Sequence, residues 1–203
     1  MSYNNSDLAN AFPSSLRGDA LQVVSVLPQP SWNTETFSVC VSGEILSIPY
    51  RIYHDPALID RTGLTTRQGE LLDCLLTRHH NGFIREEHLA GIICANNEWI
   101  PPFAVQLVGE YVIEILQLVS RNLTLLDPPL YRRFLRANPK FFALTKQRVI
   151  SYWDCYYRWQ RSADYAGFQI ITFMETPHHH RLMPYLVSSA IFDDCLAISA
   201  AGH

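Results

Sequence analysis

The sequence predicts an α+β fold, mainly α: a helical bundle or helical-repeat-like layer packed with a small antiparallel β-sheet. Three observations carry that reading. Residues 36–53, TFSVCVSGEILSIPYRIY, alternate apolar with polar or small side chains at a period of two. From Thr65 onward the apolar spacing lengthens to that of a helix, beginning in LTTRQGELLDCLLTRHHNG. Two later helix starts are marked by Asp127-Pro128 and Asn138-Pro139, each a cap residue followed by the one residue that tolerates a first helical turn without an N–H.

Taken in order, residues 1–18 are polar, with Ser, Asn and Pro, and are expected to form a flexible arm ahead of one globular domain over 19–203. Within that domain, 19–55 is expected to be β-rich, 64–161 helical, and 165–203 a strand followed by a tail. ALQVVSVL (20–27) reads as a strand because of its β-branched residues. Phe37, Val39 and Val41 form one face of a hairpin whose two-residue turn is Ser42-Gly43, and Pro49 places its second strand at an edge. Thr65 and Gln68 stand at capping-box spacing before a helix with Leu71, Leu72, Leu75 and Leu76 on its apolar face, and Asn81-Gly82 reads as its left-handed stop. A shorter helix follows in IREEHLAGIIC. Residues 101–121 give the longest helical pattern, and two helices divide 127–161. YAGFQIITFM (165–174) reads as a strand that could join the sheet edge. PHHHRLMP reads as a loop, and YLVSSAIFDDCLAIS is ambiguous between helix and strand.

Composition narrows the class. With 48% apolar and 17% charged residues, the chain can bury a sizeable core and is not disordered overall. Its five cysteines lack C-x-x-C or zinc-finger spacing, which points to reduced, mostly buried thiols. The first residues carry neither a basic n-region nor an apolar h-region, and no apolar run approaches the ~20 residues of a spanning helix. The expectation is a cytoplasmic protein with no membrane partner.

Candidate chemistry is sparse. No phosphate-binding glycine loop, nucleophile elbow or metal-protease spacing occurs. Adjacent histidines on a helix diverge by 100°, so His79-His80 form no chelate, and neither they nor His178 to His180 justify naming a metal or cofactor. On a helical wheel, the stretch QRVISYWDCYYRWQR (147–161) places Arg158 and Arg161 away from Tyr156 and Trp159. That separation predicts Trp153, Tyr156 and Trp159 to be largely buried, with truncation of either tryptophan costing about 3–5 kcal/mol. Arg148 alone falls on the aromatic side, and the polar seam of the 101–121 helix offers Glu110 or Glu114 to meet it in a polar pocket.

The charge map gives the clearest pointer to a partner. From Arg121 to Arg161 there are nine basic residues against Asp127 and Asp154, so the segment is +7 in a chain of net charge −3. Such asymmetry suits either an acidic partner or docking on the chain's own acidic remainder. The expected function is a non-catalytic protein-interaction or regulatory module that binds a protein partner through Arg132, Arg133, Arg136, Lys140, Arg158 and Arg161. The alternatives are a nucleic-acid-binding regulator using the same segment and, behind it, an enzyme with the inter-helix pocket. The pair of helices over 65–93 loosely resembles a helix-turn-helix. Glu86 and Glu87, directly after Arg85, would repel phosphates, and two ordinary bundle helices explain the pattern better.

Overall fold

A computed structural model describes residues 5–28, 35–159 and 161–176. Among the described residues, eight α-helices accompany a two-stranded antiparallel sheet, an α+β architecture dominated by helix. The helices are α1 (Arg17–Ser25), α2 (Thr66–Leu76), α3 (Gly82–Ile92), α4 (Pro101–Val108), α5 (Ile113–Arg121), α6 (Pro128–Ala137), α7 (Pro139–Tyr152) and α8 (Ala166–Glu175). The strands are β1 (Thr36–Val41) and β2 (Glu44–Pro49). The readings on PHHHRLMP, on His178 to His180 and on the 177–203 tail lie outside the described residues.

The hairpin follows its sequence pattern. Val41 pairs with Glu44 across Ser42-Gly43, whose φ angles of 51° and 86° are those a tight primed turn requires. Phe37, Val39, Val41, Leu46 and Ile48 are buried on one face. Pro49 closes β2, opposite Thr36. The capping box of α2 also forms: Thr65 Oγ1 accepts from the Gln68 N–H, and Gln68 Oε1 accepts from the Thr65 N–H at 3.0 Å.

Five local expectations are corrected. Residues 20–27 belong to α1 and its end, not to a strand: Ala20, Val23, Val24 and Leu27 are buried at i, i+3, i+4 and i+7. Likewise 165–174 is helical, burying Ala166, Ile170, Ile171 and Met174 in α8. The arm expected at the start is packed over residues 5–16. Two 3₁₀ turns there bury Leu8, Ala9, Ala11, Phe12 and Leu16, and Phe12 stacks on Phe103 at 5.6 Å. Asn81 does not stop α2 in a left-handed conformation. It is extended (φ −79°, ψ 124°), and its side chain caps α3 by accepting from the Phe83 N–H.

The fifth correction matters most for the site. The 101–121 helix breaks between Val108 and Ile113. All eight residues of α4 are buried, so α4 is a central helix packed by α5, α6 and α7. Beyond it Gly109, a poor helix former, lets the backbone turn and Glu110 swing inward. The two X-Pro helix starts are placed as the sequence suggests, at α6 and α7, although neither Asp127 nor Asn138 caps with its side chain. Asn138 instead accepts from the Cys40 N–H at 2.7 Å and donates to the Cys40 carbonyl at 2.7 Å, clamping β1 to the α6–α7 corner.

Candidate functional site

Two helix junctions meet in the interior, the α2–α3 turn and the α4–α5 break. After the hairpin the chain runs back along the α2–α3 turn as a short parallel bridge: the Ile52 N–H donates to the Arg78 carbonyl and the His80 N–H to the Ile52 carbonyl. That bridge brings Arg51 beside Arg78. Arg85, in the first turn of α3, points back under the same turn, its Nη1 donating to the His79 and His80 carbonyls at 2.9 and 2.8 Å.

Glu110 lies at the centre. Its Oε1 accepts from Arg51 Nη1 at 2.8 Å and from Arg78 Nη2 at 2.7 Å, and its Oε2 stands 2.9 Å from Arg85 Nε at ion-pair distance. Arg78 and Arg85 are 0% and 2% exposed. Burial on its own would push the Glu110 carboxyl up, but the guanidiniums of Arg78, Arg51 and Arg85 outweigh it and hold the group below the usual carboxylate range. Burial also lowers Arg78, to about 10, against the attraction of Glu110. The carboxylate is therefore ionised at neutral pH, clamped by the segments that follow β2 and α2 and by α3.

Next to this cluster sits a histidine pair. His54 is buried, its Nε2–H donates to Asn5 Oδ1 (3.2 Å), and burial followed by the nearby His79 holds its pKa at about 4. His79 Nδ1 accepts from the Asn81 N–H at 3.0 Å, so its Nε2 carries the proton and donates to the His54 carbonyl at 2.8 Å. A second contact, His88 Nδ1 to Asp73 Oδ1 at 2.8 Å, shares Asp73 with Arg61. Among the described residues, no three His, Cys, Asp or Glu side chains converge as a metal site.

The end of α7 departs from its expectation. After Tyr152 the helix widens into one π-turn, Trp153–Tyr157, and the aromatic residues there turn outward. Tyr156 is 62% and Trp159 78% exposed, while Trp153 packs against the core over Phe168 at 5.6 Å and Tyr157 stacks on buried Tyr165 at 5.3 Å. The wheel reading failed because it extended one regular helix through residues that follow another period. Tyr111 meets Tyr152 edge to face at 6.0 Å and Tyr152 stacks on Tyr156 at 6.4 Å, forming an exposed ridge from the α4–α5 break to the end of α7. Asp154, Cys155, Tyr156, Arg158 and Trp159 line a shallow depression at its end.

The sequence-derived site residues are scattered. Glu110 is buried as a polar centre, but its carboxylate is held by Arg51, Arg78 and Arg85, in place of the expected Arg148. Arg148 lays its stem against Gly109, with Cδ 3.3 Å from where a Cβ on that glycine would stand, and Glu114 is exposed on α5. The basic helices dock in part on the chain's own acids: Arg133 meets Glu98, Lys146 meets Glu175, Arg158 meets Asp154 and Arg161 meets Asp164. Arg132 donates to the Thr176 carbonyl, while Arg136 and Lys140 remain exposed. The thiols divide as well, with Cys74 buried but Cys94 and Cys155 exposed. Sequence reasoning missed Arg51, Arg78 and Arg85, which come from three segments with no shared motif. The chain matches no protein-family model, no curated protein and no solved structure at a significant level. No helix among the described residues is long and apolar enough to cross a membrane.

Proposed function

We propose that this chain is a non-catalytic protein-interaction module whose docking face is the ridge Tyr111, Tyr152, Tyr156 and Trp159. The observation that carries this reading is the outward exposure of the ridge: 60% for Tyr111, 62% for Tyr156 and 78% for Trp159. Tyrosine, tryptophan and arginine are the residue types that dominate interface energetics, and here they sit together on a helix end braced by α4 and α8. Solvent-exposed large aromatics that stack on one another mark a contact site more readily than scattered single ones.

Charge separates a protein partner from nucleic acid. At the end of the ridge the exposed guanidiniums of Arg158 and Arg161 are paired with Asp154 and Asp164. A strand-binding surface needs stacking aromatics within a positive groove that follows the phosphates. A neutral aromatic ridge instead favours a protein presenting apolar side chains with polar groups at its rim.

A photo-crosslinking amino acid at position 156, against the same group at exposed Gln22 on α1, tests the reading in the cells that produce the protein. The expected result is one discrete protein adduct from position 156, lost in Trp159→Ala and absent from position 22. Adducts of the chain with itself would make the ridge a self-association face. Absence of any adduct, together with salt-sensitive retention of an oligonucleotide, would overturn the reading.

A further inference from the structure

We infer that the outer furrow between α3 and α5 is a second docking surface, and that it receives a basic amphipathic helix of a partner protein. It lies beyond the ridge, which it adjoins at Tyr111, and it stands if the ridge fails as a contact. The two helices run side by side in the same direction. At their starts, a Cβ on Gly82 would stand 3.6 Å from Val112 Cγ2. Just past their ends, Cys94 Sγ donates to Asn122 Oδ1 at 3.7 Å.

Helical spacing then fixes what lines the furrow. Glu86 and Ala90 lead in four-residue steps to Cys94, and Glu114 and Leu118 lead likewise to Asn122. Because Cys94 meets Asn122, the two rows face each other. Ala90 is small and exposed, and Leu118 is half-buried against the core, so the floor is shallow and apolar. At the glutamate end, Phe83 is 80% exposed, the most of any large apolar side chain among the described residues, and Tyr111 is exposed as well. Both adjoin the Gly82–Val112 contact in sequence, so two large rings stand in water at one mouth of the furrow.

Charge selects the occupant. Arg85 is buried and His88 is held by Asp73, which leaves Glu86, Glu87, Glu114 and Arg121 as the other charged side chains of the two helices. None of the three glutamates forms an ion pair among the described residues, whereas Glu98, Asp154, Asp164 and Glu175 on other faces each meet a cation. Glu114 lies in the first turn of α5, where the helix dipole favours a carboxylate. Glu86 and Glu87 lie beyond the first turn of α3 and have no such compensation. Three negative charges against one positive repel phosphates and attract a basic segment.

A helix supplies that segment in the right form. Laid along two parallel helices it packs at about 8–10 Å from each, with its apolar side on Ala90 and Leu118. Lysine stems can cover the faces of Phe83 and Tyr111 while their ammonium groups reach the carboxylates. The eleven residues of α3 give the furrow a length of about 16 Å, three turns of a partner helix.

Fluorescence anisotropy of a labelled peptide of two KLAKKLA repeats, titrated with the full chain, tests the surface, with two ELAEELA repeats as the control. The lysine peptide is expected to bind saturably and the glutamate peptide not at all, with affinity falling as salt rises from about 0.05 to 0.5 M. Glu87→Lys combined with Glu114→Lys is expected to weaken binding about tenfold or more, and Phe83→Ser by about tenfold. Asp7→Lys, an exposed reversal on the first 3₁₀ turn, should bind as the parent does. So should Trp159→Ala on the ridge, which separates failure of the furrow from failure of the ridge. Thermal melts of these exposed-site variants check that each is folded. Binding of the lysine peptide no tighter than that of the glutamate peptide overturns the surface. So does binding left intact by both Phe83→Ser and the double reversal, or weakened as much by Asp7→Lys. Sedimentation of the chain alone tests a second copy as occupant: salt-sensitive self-association abolished by the double reversal would make the furrow a contact between copies and overturn the partner helix.

Discussion

Asn138 and Glu110 show how much one polar side chain can organise when its partners come from distant segments. The Asn138 amide satisfies both the N–H and the carbonyl of Cys40 and also donates to the Phe134 carbonyl at 2.8 Å. Asn138→Ala would orphan the Cys40 groups and is expected to cost about 2–3 kcal/mol. Asn138→Asp keeps the acceptor but sets a carboxylate oxygen against the Cys40 and Phe134 carbonyls, so it should cost at least as much. Urea denaturation of the three proteins checks the order, and an alanine variant as stable as the parent would refute the clamp. The sequence singles out Asn138 through Pro139, but as a helix cap. Local spacing reveals that a polar residue stands at a helix start, not which strand it will reach. Glu110 was legible in the same partial way. Its place in a polar seam marked it, while its three arginine partners are separated from it by 59, 32 and 25 positions.

At the level of elements, period was a better guide than residue type. The runs at 20–27 and 165–174 look like strands because valine and isoleucine favour sheets, yet their buried positions recur at helical spacing. The reverse error occurred at 153–157, where a π-turn interrupts the regular wheel and turns Tyr156 outward. Truncating Trp159 should accordingly cost far less stability than a buried tryptophan would. The contact of α8 with α7 depends on Gly167. A Cβ there would lie 2.6 Å from Tyr165 Cε1 and 2.8 Å from Val149 Cγ1, both side chains being buried. Gly167→Ala is expected to destabilise by about 1–3 kcal/mol, although alanine is the better helix former. Gly18→Ala in α1 meets nothing within 4 Å and should be neutral or stabilising by about 0.5 kcal/mol. Paired thermal melts test the contrast, and a Gly167→Ala protein at least as stable as Gly18→Ala would disprove the close approach.

For the whole molecule, the buried histidines predict acid sensitivity in two stages. His54, at about 4, and His79, also lowered by burial, are neutral in the fold and have unfolded values near 6.5. Between those limits the unfolded chain takes up protons that the folded chain refuses. Stability is thus level above pH 6.5 and falls as pH drops toward 4, by about 3 kcal/mol from His54 alone. Glu110 acts lower down. Its depressed carboxyl contributes stability above the unfolded value near 4.3, and that contribution is lost as pH falls through the folded value. Urea midpoints at pH 8, 7, 6 and 5 should stay level and then decline. His54→Gln should flatten the decline, and an unaltered slope would exclude His54 as its source. At this scale the fold class was legible from the change of apolar period after the hairpin. The tertiary junctions were not, because no local pattern records which turns will meet. The Cys40–Asn138 clamp also sets an order of events. A two-stranded hairpin is marginal by itself, although its turn closes within microseconds. The side chain that pins it lies 98 positions further along, so the strands are made first and secured late, once loop closure across half the chain has brought the α6–α7 corner to them.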